Sequence, residues 1–139
     1  MHDIYPSRRA AEPELLPRQD PVVHSDWHAN APLSRQQVEQ FERDGYLVLQ
    51  NLFDPGELEA LQDETRLLLA SPASLDADTI ITERGSDEIR SIFAIHEQSA
   101  LIRRLATDER LVRIAQYLLG DEVYIHQSRL NYKPGFFGK

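Results

Sequence analysis

The sequence predicts an α+β fold, with helices grouped early and strands grouped late, and three observations lead there. Ser34 and the pair Asp54-Pro55 each open an amphipathic run, short β-branched runs lie at residues 79–82 and 89–95, and residues 123–133 form a long extended run ended by Pro134 and Gly135. Such blocks, without regular strand–helix alternation, argue against a doubly wound parallel sheet.

Residues 1–32 hold Pro6, Pro13, Pro17, Pro21 and Pro32, mixed charges and no sustained periodicity, so they are expected to run as an extended arm over the surface. Ser34 is the N-cap candidate of the first helix, whose stripe is Leu33, Val38 and Phe41 and whose stop is Gly45. Residues 46–49 then read as a strand. Asp54 offers a carboxylate to the orphan amides of the next helix, and Pro55 suits its first turn. Leu58, Leu61, Thr65, Leu68 and Leu69 continue that helix at amphipathic spacing. A polar stretch with a short strand at 79–82 follows, then a second strand at 89–95. Two helices are expected at 99–106 and 109–119, the latter closed by Gly120.

At 139 residues the chain suits one domain or part of one. A net charge of -8 excludes the basic footprint that nucleic acid requires. The absence of cysteine excludes disulfides, thiolate metal sites and a cysteine nucleophile. The N-terminal residues lack the apolar run of a signal peptide, and no stretch is long enough to cross a bilayer, so a cytoplasmic protein with no membrane partner is expected.

In the last extended run, Gln127, Arg129, Asn131 and Lys133 should share one face while Tyr124, Leu130 and Tyr132 take the other. Either the polar face meets solvent, as antiparallel sheets commonly allow, or it lines a cavity where cations and amides grip an anionic ligand. From spacing alone, solvent is favoured.

The run HQSRLNYKPGFFGK at residues 126–139 resembles the segment that leads into the iron-binding motif of ectoine hydroxylases, within the phytanoyl-CoA dioxygenase superfamily. The opening DIYPSR, the DPVVHSDW arm, FERDGYLVLQNLF and IRSIFAIH resemble that family in the same order, so the likeness covers nearly the whole chain. It implies a double-stranded β-helix with flanking helices, of which residues 33–139 supply the N-terminal part. It further implies hydroxylation of ectoine to 5-hydroxyectoine with Fe(II), oxygen and 2-oxoglutarate, in an enzyme that is often a homodimer. By the same resemblance Gln127 contacts ectoine, Asn131 and Lys133 contact 2-oxoglutarate, and Arg129 serves one or the other. These enzymes hold iron with a His-x-Asp pair and a distant second His. That pair, like the arginine for the far carboxylate of 2-oxoglutarate, is expected beyond Lys139. No catalytic residue or iron ligand is therefore expected within the chain, and the 139-residue polypeptide alone is not expected to complete turnover.

His24, Asp26 and His28 in HSDWH mimic an iron motif, but a proline-rich arm offers no strand to fix three ligands, so they read as surface histidines beside a half-buried Trp27. His96 and His126 read as ordinary hydrogen-bonded histidines. The acidic start of the second helix, with Glu57, Glu59, Asp63 and Glu64, complements the helix dipole. Phe136 and Phe137 are assigned to packing. Two rival readings remain: a related oxygenase of the superfamily with another small substrate, and a metal-free binding or assembly module. A half-barrel would expose strand edges and apolar surface and so tend to self-associate.

Overall fold

The computed structural model describes residues 20–132. Helix α1 spans Arg35–Asp44 and α2 spans Pro55–Ala70. Both begin in reciprocal capping boxes, which satisfy orphan amides at the first turn. Ser34 Oγ accepts from the Gln37 amide at 3.3 Å while Gln37 Oε1 accepts from the Ser34 amide at 2.9 Å. Asp54 and Glu57 repeat the exchange at 2.8 Å in each direction. After α2 come two single 3-10 turns, Pro72–Ser74 and Ala77–Thr79, then strands β1 (Ile80–Thr82) and β2 (Ile89–Phe93). Helices α3 (Ile95–Gln98), α4 (Ala100–Ala106) and α5 (Glu109–Leu119) follow, and β3 (Arg129–Asn131) closes the described region.

One core forms where the arm meets α1 and α5. Val23, Leu33, Val38 and Tyr117 are its buried members, with Phe41, Leu47, Leu49, Ile114 and Leu118 against them. The arm is tied to the end of α5 by the His24 amide, which donates to the Leu118 carbonyl at 2.9 Å. Gly120 allows that approach. Its φ is +68°, and a Cβ there would sit 2.9 Å from His24 Cβ. Both the left-handed turn and the contact therefore need glycine.

The second core lies under the sheet. Strand order is β1-β2-β3, antiparallel throughout, so β2 is central. Ile80 and Leu130 flank Ile92 on its two sides, and Ile92 is fully buried. Leu68 of α2 and Ile95 complete the buried set, with Ile89, Ile102, Leu130 and Tyr132 packed around them. Tyr132 reaches across to donate its hydroxyl to the Thr65 carbonyl at 3.2 Å. Ser99 Oγ caps α4 by accepting from the Ile102 amide at 3.1 Å, and donates to the Glu64 carboxylate of α2.

The structure differs from the sequence expectations in four places. Residues 46–49 form no ladder with any described strand, although Leu47 and Leu49 are half-buried against the first core. The strand expected at 89–95 ends at Phe93, because Ala94 turns into the left-handed region at φ 49° and starts α3. Of the run at 123–133, only Arg129–Asn131 is strand; pairing is continued by the Ala94 amide to Ser128 O at 2.9 Å and the Tyr132 amide to Arg90 O at 2.8 Å. On α2, Leu68 is buried and Leu61 and Thr65 are half-buried, whereas Leu58 and Leu69 are exposed at the stripe's margins.

An ion network joins α2 to α5. Arg110 donates to Glu57 Oε1 at 2.6 Å, to Asp108 Oδ2 at 2.7 Å and to the Leu52 carbonyl at 2.9 Å, and its guanidinium lies 4.8 Å from the Phe53 ring centre. Hydrogen bonds from the Arg110 side chain and then its backbone amide push the Asp108 carboxyl down to about 2. Glu57 is lowered too, first by Arg110 and then by the Asp54 amide.

Two outcomes are expected for the native polypeptide that carries this chain. Ile92→Ala should cost about 2–5 kcal/mol in denaturant unfolding, as other large-to-small core changes do. The second concerns acid. Because both carboxyls titrate lower folded than unfolded, their stabilisation is present above roughly pH 4 and is lost as pH falls towards about 2. The gap in melting temperature between the natural protein and Arg110→Met should accordingly be full at neutral pH and shrink across that window.

Candidate functional site

Antiparallel register decides which side chains meet. Ser91 lies opposite Asn131, Phe93 opposite Arg129, and Ile92 opposite Leu130. Directly opposed residues project to the same side, so Ile92 and Leu130 turn to the core while Ser91, Phe93, Asn131 and Arg129 share the outer face. Gln127 has the same parity as Arg129 and is exposed, as are Arg129 and Asn131. Ile81 of β1, opposite Ser91, extends the face with an apolar edge.

Ser91 Oγ donates to Asn131 Oδ1 at 2.8 Å, and Ser91 is only 4% exposed although it lies on this open side. The Arg129 guanidinium rests 5.3 Å from the Phe93 ring centre, a cation–π contact across the two strands. Among the described residues no carboxylate pairs with Arg129, and Gln127 makes no hydrogen bond. Side chains two apart on a strand are about 7 Å apart. The three polar groups therefore form a row that could hold two small ligands in line, with a fork for a carboxylate at its middle. Arg129 and Asn131 lie on the same face of β3, and both, like Gln127, are exposed among the described residues. Lys133, Phe136 and Phe137 lie outside the described residues.

Near Gln127 the strand is clamped at Ser128. Ser128 O accepts from the Ala94 amide, its Oγ accepts from the His96 amide at 3.2 Å, and the His96 ring Nδ1 bonds the same Oγ. Gln98 fills a similar role at the far edge, accepting from the Asp76 amide at 2.9 Å and donating to Thr79 Oγ1 at 2.7 Å and to Phe93 O at 3.1 Å. His126 stacks edge-on to Tyr124, which is 82% exposed. Ser91, Phe93, Gln98 and Ser128 were not singled out from the sequence. The alternation in IRSIF was the available signal, since it puts Ser91 and Phe93 on the face opposite Ile92.

Two concavities elsewhere carry other groups. A groove of about 510 Å³ between α2, α4 and α5 is lined by Glu57, Asp108 and Arg110, whose charges already satisfy one another. A second, about 410 Å³, borders the HSDWH arm. There Trp27 Nε1 donates to Leu33 O at 3.2 Å, Arg35 lies 5.6 Å from the Trp27 ring, and His28 Nδ1 accepts from the Asn30 amide at 3.2 Å. No set of three His, Asp or Glu among the described residues could hold a metal ion, and His24, Asp26 and His28 do not form one.

The sequence profile of the phytanoyl-CoA dioxygenase (PhyH) family matches residues 41–139. The chain belongs to that family. It is 60% identical over 139 residues to an ectoine dioxygenase of Sphingopyxis alaskensis, a match covering all of this chain and 45% of the relative. It is 46% identical over 137 residues to an ectoine dioxygenase of Stutzerimonas stutzeri, covering 99% of this chain and 45% of that protein. Among solved structures, EctD from S. alaskensis with bound Fe superposes with a TM-score of 0.91 at 59% identity, covering 99% of this chain and 49% of that one. The same protein with 2-oxoglutarate and 5-hydroxyectoine superposes with a TM-score of 0.89 at 59% identity, again over 99% and 49%. The chain thus spans about half the length of the curated relatives it matches.

Proposed function

We propose that this chain carries part of the ligand-binding surface of an Fe(II)/2-oxoglutarate dioxygenase that converts ectoine, 2-oxoglutarate and oxygen to 5-hydroxyectoine, succinate and carbon dioxide. The observation that carries the reading is that Arg129 and Asn131 share one exposed face of β3, with the exposed Gln127 at the same parity just before the strand. It is supported by full-length alignment of the chain with ectoine dioxygenases and by the superposition on a relative solved with 2-oxoglutarate and 5-hydroxyectoine.

The role of each residue is the one the family resemblance implies, and its chemistry suits that role. Gln127 presents a neutral amide, which can donate to and accept from ectoine at once. Asn131 donates an amide N–H to 2-oxoglutarate, and Lys133 meets one of its carboxylates by charge. Arg129, in cation–π contact with Phe93, can grip a carboxylate of either molecule with two parallel N–H groups. Among the described residues no group of three His, Asp or Glu could hold iron. The chain's share of the work is to bind and orient two small molecules in fixed order along one strand, which is where much of an oriented reaction's advantage arises. A cytoplasmic homodimer completes the reading. No helix among the described residues is long and apolar enough to cross a membrane.

The test is steady-state kinetics on the native polypeptide carrying this chain, supplied with Fe(II), with ectoine hydroxylation and succinate release both measured. Gln127→Ala should raise the KM for ectoine about tenfold or more and leave that for 2-oxoglutarate nearly unchanged, while Lys133→Ala should do the reverse, in line with losing a charge-assisted hydrogen bond. Turnover of 2-oxoglutarate with another small substrate but not with ectoine would transfer the assignment to a sister oxygenase. Ligand parameters untouched by either substitution would remove the site from this face.

A further inference from the structure

The open face has one buried polar side chain, and its hydrogen bond runs sideways along the surface. Ser91 sits on the central strand between Ile81 and Asn131, its two cross-strand neighbours. Its hydroxyl donates to Asn131 Oδ1 at 2.8 Å, whereas the Asn131 side chain itself is exposed and its NH2 has no partner among the described residues. A hydroxyl that served the sheet alone would be expected on a nearby backbone group. This one spends its proton on a side chain that stands at the surface.

We propose that Ser91 is a positioning residue for the bound dicarboxylate: its buried hydroxyl holds the Asn131 amide in the orientation that turns NH2, and not the carbonyl oxygen, towards a carboxylate of 2-oxoglutarate. The inference rests on the reading of Asn131 as a 2-oxoglutarate contact. Its physical basis is that an exposed asparagine can present either end of its amide, and the two ends have opposite sign towards an anion. A donor fixed on Oδ1 occupies the carbonyl end and leaves NH2 outward. Without it, the amide is free to flip, and an anion meets an acceptor in part of the population. Ser91 is placed to do this because its register partner is Asn131 and because burial restricts its own rotamers. Pre-organisation of this kind raises affinity by lowering the ordering cost at binding.

The experiment is a double-mutant cycle for 2-oxoglutarate in the native polypeptide carrying this chain, using Ser91→Ala, Asn131→Ala and both together, with KM and kcat read at a temperature well below each variant's melting point. Ser91→Ala is expected to raise the KM for 2-oxoglutarate about fivefold to tenfold with kcat within about threefold, Ser91→Thr to recover most of the loss, and Ser91→Ala to add less than about twofold once Asn131 is alanine. An unchanged KM in Ser91→Ala, beside a raised one in Asn131→Ala, overturns the positioning role and leaves the site reading intact. Full additivity in the double variant also overturns it, since Ser91 would then act by another route. No change in Asn131→Ala rejects the site reading itself, and this inference falls with it.

Discussion

The register between β2 and β3 is the constraint on which the rest depends. With Ser91 opposite Asn131, Ile92 and Leu130 turn inward while Ser91, Phe93, Arg129 and Asn131 share the outer face. A slip of one residue would reverse all of them, placing Arg129 and Asn131 against Leu68 and Ile95. Burial of Ile92 on the inner face makes that slip costly, so the core and the arrangement of the outer face are fixed by the same pairing. The sheet is small, and its order is correspondingly supported from the sides. Gln98 pins one margin through three hydrogen bonds, and Ser128 pins the other through its carbonyl and hydroxyl.

The helical layer supplies the inner wall. Helix α2 places Leu68 in the core under the sheet, and Tyr132 and Ser99 tie it there through Thr65 and Glu64. Glu57 has two roles, as partner in the capping box of α2 and as acceptor for Arg110 of α5, so one carboxylate links local helix initiation to packing between helices. The arm adds a separate core with α1 and α5. That arrangement leaves the polar row on the side away from both cores, where its amides and guanidinium keep unspent hydrogen-bonding capacity for ligands.

Much of the fold was legible in the sequence because capping is local. Ser34, Asp54, Gly45 and Gly120 mark helix ends by chemistry that acts within four residues, and all four ends stand where those residues put them. Strands were less legible, since a ladder needs a partner that the strand's own sequence does not name. Residues 46–49 have the alternation of a strand, with Leu47 and Leu49 half-buried, yet form no ladder with a described strand. Ala94 was opaque for a different reason: a left-handed alanine is held by the Ser128 carbonyl, 34 positions away in sequence number by subtraction, and not by its own propensity. At the site, period two placed Gln127, Arg129 and Asn131 on one side. It could not reveal Ser91 or Phe93 as their neighbours, because cross-strand register is a tertiary fact.

The central claim is that the outer face of β3 receives ectoine and 2-oxoglutarate side by side. A crystal structure of the native polypeptide carrying this chain, bound to both molecules, tests it most directly. The account predicts Gln127 within about 3 Å of ectoine and Asn131 Nδ2 within about 3 Å of a 2-oxoglutarate carboxylate, with Oδ1 still on Ser91. Both ligands seated elsewhere, with water alone over this face, would contradict it.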